Sequence, residues 1–165
     1  MATFEIKGPL TVPTYDGKAA KIVDSEFLSG FWESSGVANR RGCYVFAVRA
    51  SKGIRPVYVG RATKNFKQEV FTPHKLEKYQ RCLADTTKGT PVLFFVMSPS
   101  KKGKPNLKVI RELEDFLIQT AVSRNPELLN VKGTERENWG IAGVIRGGSG
   151  KPPVGALAFK KAMGL

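Results

Sequence analysis

The chain has 165 residues, with 27 Lys and Arg against 14 Asp and Glu, a formal charge of +13. Apolar residues make up 41% and charged residues 25%, which excludes a disordered chain, because disorder needs few apolar residues as well as high charge. No apolar run is long enough to cross a bilayer.

The segment Met1 to Glu5 has neither the basic nor the apolar part of a secretory signal, and Cys43 and Cys82 suit reduced, buried thiols. The expectation is an intracellular, cytoplasmic protein with no membrane partner. The one histidine, His74, excludes a zinc site built on paired histidines, and no G-x-S-x-G elbow accompanies it. Gly147-Gly148-Ser149-Gly150-Lys151 lacks the spacing of a phosphate loop, and Pro152 follows the lysine. Self-repulsion at +13 destabilises a compact chain, so a polyanionic partner is expected, with nucleic acid ahead of an anionic membrane surface.

Residues 1–20 carry short apolar runs broken by Pro9, Pro13 and Gly17, which predicts a loose N-terminal strand or arm. Asp24 or Ser25 can cap a short helix through Trp32, with Phe27, Leu28, Phe31 and Trp32 on its apolar side. Gly42 to Val48 reads as a strand buried on both faces, Ala50 to Gly53 as a turn, and Arg55 to Val59 as the returning strand of a hairpin. Residues 64–71 are weakly helical. Pro73 to about Leu83 is a clearer helix, with Leu76, Tyr79 and Leu83 at helical spacing.

Pro91 to Met97 is a third strand, and the longest helix runs from Leu107 to about Ser123, stopped at Asn125-Pro126. Leu128 to Asn130 and Asn138 to Ile145 are possible extended pieces, Gly147 to Gly150 is a loop, and Val154 to Met163 is a terminal helix. The expected fold is a layered α/β (α+β) domain on a small, mainly antiparallel three-stranded sheet flanked by helices.

On the long helix, rotation of about 100° per residue puts Ile110, Leu113, Leu117, Ile118 and Ala121 on one arc, with Glu114 inside it. A carboxylate there needs a salt-bridge partner or a cation, and spacing alone leaves both open. Tyr44 and Tyr58 lie on adjacent strands, each two residues from a glycine, Gly42 and Gly60, and glycine lets a ligand or another chain segment approach a sheet closely. Ordinary packing of strand tyrosines accounts for them equally.

Gly42-Cys43-Tyr44, a spacer of strand-plus-turn length, and Tyr58-Val59-Gly60 together resemble the signature of the GIY-YIG nuclease superfamily. His74 stands at a plausible Tyr/His position of that pattern, Leu113 to Ile118 match the stretch around its glutamate, and Asn125 to Asn130 match the stretch ending in its asparagine. The resemblance covers about residues 42–131. One domain over 1–165 is the expectation at this length, and the resemblance sets its core at 42–131 between an N-terminal extension, 1–40, and a C-terminal one, 132–165.

It further implies a metal-dependent endonuclease that hydrolyses DNA phosphodiester bonds, with RNA also possible. Glu114 would hold Mg²⁺ or Mn²⁺, Tyr44 would be the base or water-orienter, and Tyr58 would bond a phosphate oxygen or a water. His74 would share the proton traffic, and Asn130 would anchor the site. The family's arginine is expected where Gln68 and Glu69 stand. Either Arg61, which resembles the basic residue after the second motif in some members, or Lys67 supplies the cation, or the chain is a weakened or inactive binding module on the same fold. Arg40, Arg41, Lys64, Lys101, Lys102 and Lys104, with Lys160 and Lys161, are candidates to hold the backbone of the nucleic acid.

Overall fold

The computed structural model describes residues 2–16, 21–23, 27–85, 89–99, 104–130, 132, 141–144, 152–153 and 155–164. The chain divides into two compact units, Met1–Thr134 and Glu135–Leu165.

The first unit is an α+β domain on a fully antiparallel sheet. Strand β4 (Gly42–Ala50) returns through Ser51-Lys52 into β5 (Gly53–Ala62), the hairpin expected from turn residues between two apolar runs. Strand β6 (Thr90–Met97) pairs with the other side of β4, and β1 (Glu5–Thr11) pairs with β6. The order is β1-β6-β4-β5, so the sheet has four strands, not three. Pro9 misleads a reading by composition: its ring sits where the β1–β6 register slips between Lys7 and Leu10, a position where a strand tolerates a missing N–H. A separate hairpin pairs β2 (Thr14–Asp16) with β3 (Lys21–Val23).

Helix α1 spans Leu28–Ser35, α2 Phe66–Glu69, α3 Pro73–Asp85 and α4 Leu107–Arg124. The expected caps Asp24 and Ser25 lie outside the described residues, and α1 starts later, with Phe27 at a position where no side chain caps the helix. Asn106 caps α4 by accepting the Val109 N–H at 3.2 Å.

The two faces of the sheet follow from register. Tyr44, Phe46 and Val48 alternate onto one face. There Tyr79 of α3 stacks on Phe46 with centroids 4.0 Å apart, and Phe31 and Trp32 of α1 pack on Phe95. Cys43 and Val45 point to the other face, onto Ile110, Ile118 and Ala121 of α4. A register shift between Phe46 and Ala47 inserts Val57 into β5 and keeps Tyr58 on the Tyr44 face. Both cysteines are buried thiols that form no disulfide. The Cys43 thiol donates to the Ile110 carbonyl at 3.4 Å, and burial, helped by the Glu114 charge, pushes it up to about 12.

In the second unit, α5 (Ala156–Met163) runs between Gly155 and Gly164, both at positive φ. Of the extended piece expected at 138–145, residues 141–144 are described: Ile141 sits in an isolated β-bridge and 142–144 form a turn, with the Val144 N–H donating to the Ile141 carbonyl at 3.0 Å. Among the described residues no helix is long and apolar enough to cross a membrane.

Candidate nucleic-acid cleft

Strand β5 is a sheet edge, and an edge strand must place its outward N–H and C=O groups. From Pro56 to Val59 the segment after α4 covers them. The Asn125 amide donates to the Pro56 carbonyl at 2.7 Å, and the Leu129 N–H donates to the Val57 carbonyl at 2.8 Å. The Asn130 amide bonds Val59 twice, accepting its N–H at 2.9 Å and donating to its carbonyl at 2.7 Å. Beyond Val59 this cover ends, and a cleft of about 680 Å³ opens.

Tyr58 and Arg61 come to the cleft from β5, His74, Lys75 and Lys78 from α3, and Arg111, Glu114, Asp115 and Ile118 from α4. Thr63, Glu69, Asn130 and Lys132 complete it. Five Lys and Arg side chains face three carboxylates, so the cleft keeps a positive excess that focuses an anion's approach. The five expected residues Tyr58, Arg61, His74, Glu114 and Asn130, distant in sequence, thus line one concavity. Lys75, Lys78 and Arg111 join them unanticipated. The one signal for the first two is that His74, Lys75 and Lys78 share a face of α3 at helical spacing, which is also how a solvated face looks.

Glu114 lies on the flank of the apolar arc with 15% of its side chain exposed, and its carboxylate accepts from Arg61 in a salt bridge. The ion pair is the partner that such a half-buried carboxylate requires. Among the described residues no group of three or more His, Cys, Asp and Glu is placed to hold a metal ion. Asp115, the next residue on α4, also lines the cleft, but adjacent helix positions do not face each other, so Glu114 alone is the candidate carboxylate for a hard cation.

The two motif tyrosines are not equivalent. Tyr58 is half-buried at the cleft surface, whereas Tyr44 is fully buried and lies beneath it. Register sets Tyr44 opposite Gly60, where any Cβ would meet the Tyr44 hydroxyl and, at 2.5 Å, its Cζ; the glycine makes room for the phenol. The Tyr44 hydroxyl is buried, with the Tyr79 and Tyr58 hydroxyls as its polar neighbours. Burial, reinforced by Tyr79 and Tyr58, raises its pKa well above the ordinary phenol value. Burial and the Glu114 charge also raise that of Tyr58. Hence the tyrosine that meets solvent is Tyr58, and both are held as neutral phenols.

Other expected contacts fall elsewhere. Lys64, ahead of α2, and Lys67, within it, are exposed and do not line the cleft; the Lys67 N–H bonds the Ala38 carbonyl. Arg40 is a structural residue: its guanidinium donates to the Ser98 carbonyl at 3.0 Å and pairs with Glu5 at 3.6 Å. Arg41 is partly exposed, Lys104 is exposed ahead of α4, and Lys101 and Lys102 lie outside the described residues. Lys160 and Lys161 belong to α5 in the second unit. Glu69, at the position where the family's arginine is expected, accepts the Lys64 N–H at 2.5 Å and the Thr63 hydroxyl, closing the turn after β5.

Comparison with family models, with curated proteins and with solved structures finds no match to this chain.

Proposed function

We propose that the first unit is a divalent-metal-dependent nuclease of the GIY-YIG type, acting on nucleic-acid phosphodiester bonds, with DNA as the expected substrate. The observation that carries this reading is the convergence of Tyr58, Arg61, His74, Glu114 and Asn130 on one positively charged cleft. Hydrolysis needs a charge that neutralises the phosphate, a group that orients water, and a proton acceptor. Glu114 would hold Mg²⁺ or Mn²⁺, which supplies Lewis-acid stabilisation of the phosphate and its leaving oxygen. Arg61, exchanging Glu114 for phosphate, neutralises charge on the substrate. Tyr58, held as a neutral phenol, donates its hydroxyl to a phosphate oxygen or to the attacking water. His74 takes the water's proton. Asn130 acts on the site through Val59, fixing the strand that presents Tyr58 and Arg61.

This assignment moves the water-orienting role from Tyr44 to Tyr58. Tyr58→Phe is expected to lower the cleavage rate at least tenfold. Tyr44→Phe is expected to leave cleavage within about twofold and to change stability by no more than about 1 kcal/mol, since it removes a buried hydroxyl that lies outside the cleft lining. Cleavage rates on an oligonucleotide duplex and thermal melting of both variants check this. Loss of cleavage in a folded Tyr44→Phe protein would return the chemistry to Tyr44.

One observation favours a second reading. The Arg61–Glu114 ion pair engages both the proposed metal ligand and its nearest cation. A chain that keeps that pair closed on its substrate grips nucleic acid without cutting it.

A further inference from the structure

Lys75 and Lys78 stand one turn apart on α3 and both face the cleft. The Lys75 ammonium donates to the Glu69 carbonyl and lies 5.2 Å from the centre of the Tyr44 ring. The Lys78 ammonium donates to the Leu129 carbonyl at 3.5 Å and lies 5.2 Å from the centre of the Tyr58 ring. Neither forms a salt bridge with a carboxylate among the described residues, whereas Arg61 in the same cleft does.

The arrangement repeats. Each ammonium rests on one main-chain carbonyl and one tyrosine face, and each keeps N–H donors to spare. Carbonyls and ring faces orient a cation without cancelling its charge. Burial opposes the charged form of Lys75, lowering its pKa, so an incoming anion relieves an existing cost.

We propose that Lys75 and Lys78 form a two-point grip for the phosphates of the bound strand, positioned by the Tyr44 and Tyr58 rings. The ligand class is the phosphodiester backbone, bound without base readout. The pair supplies the cations that Gln68 and Glu69 do not, and it gives the buried Tyr44 a positioning role that needs its ring and not its hydroxyl. The proposal rests on reading this cleft as a nucleic-acid site, but it does not require cleavage.

The test is fluorescence anisotropy of a labelled DNA duplex with the full chain in EDTA, at 50 and 200 mM salt. It compares wild type with Lys75→Met, Lys78→Met, the double variant and the surface control Lys52→Met, in the β4–β5 turn and outside the cleft lining. Methionine keeps the aliphatic stem, and melting curves verify folding. Each single variant is expected to weaken binding about fivefold or more. The double variant should also flatten the slope of log K against log salt by about 1.8, the release expected for two phosphates. Lys52→Met should stay within about twofold of wild type. Should Lys75→Met melt early through loss of its Glu69 bond, Lys78→Met alone decides. Wild-type binding that the double variant weakens no more than the control does overturns the grip and leaves the nuclease reading standing. A wild-type chain that does not bind the duplex overturns both.

Discussion

Glu114→Gln is expected to cut the rate of DNA cleavage at least a hundredfold while leaving affinity in EDTA unchanged or higher. Glutamine preserves the shape and one acceptor but removes the charge that a divalent cation needs. The rise in affinity follows from the cleft's own electrostatics. Glu114 sits among Arg61, Lys75, Lys78 and Arg111, and it neutralises the first of them. Without that charge Arg61 is free to meet phosphate, and one repulsive group disappears. Arg61 keeps 39% of its side chain exposed, so solvent screens the broken pair and the stability cost stays at about 1 kcal/mol. Parallel cleavage and anisotropy measurements check both halves. Cleavage that survives the substitution removes the proposed metal position. Cleavage and binding lost together in a folded protein would make Glu114 a structural anchor for Arg61.

The largest effect on stability is expected at Gly42. This residue opens β4 with φ at +142°, a conformation L side chains rarely adopt, and it pairs with Met97 in the sheet. A Cβ there would run into the Val96 carbonyl oxygen and stand 3.0 Å from the Ser98 nitrogen. These are main-chain atoms of the neighbouring strand, held by the ladder and by the Ser98 N–H bond to the Arg41 carbonyl at 2.8 Å. They cannot swing aside as a flexible side chain would. Gly42→Ala therefore combines strain at positive φ with overpacking, a cost of about 3 kcal/mol or more, which corresponds to a melting point lower by roughly 10 °C. Gly30, inside α1 at ordinary φ with nothing within 4 Å of an added Cβ, is the matched control. Gly30→Ala should raise the melting point slightly, by removing chain entropy from the unfolded state. Equal effects at the two positions would mean that close approach at Gly42 is not what selects glycine.

The central hairpin, α3, β6 and α4 were legible because each carries its own periodicity and its own stop residues. Glu114 was legible for the same reason: helical rotation alone places it on the apolar flank. The fourth strand was legible only in part: the short apolar runs of residues 1–20 predict a loose strand or arm, Pro9 reads as a breaker, and only pairing with β6 shows that it falls at a slip in register and that the strand joins the sheet. The difference between Tyr44 and Tyr58 is a tertiary property. Both stand on strands beside a glycine, yet one points under the cleft and the other reaches its surface. Charge was the least legible quantity. Arg40 next to Arg41 reads as a basic cluster, although the Ser98 carbonyl and Glu5 hold its guanidinium. Lys75 and Lys78 read as ordinary lysines of a helix, and their meaning comes from the tyrosine faces and carbonyls that α3 brings beneath them.

The most direct test of the nuclease reading is incubation of the purified full chain with supercoiled plasmid at low salt, with Mg²⁺ or Mn²⁺ and separately with EDTA. The expected result is conversion to nicked circles with either metal and none in EDTA. A salt-sensitive gel shift of intact supercoiled DNA under every condition would contradict it and leave a module that grips nucleic acid without cutting.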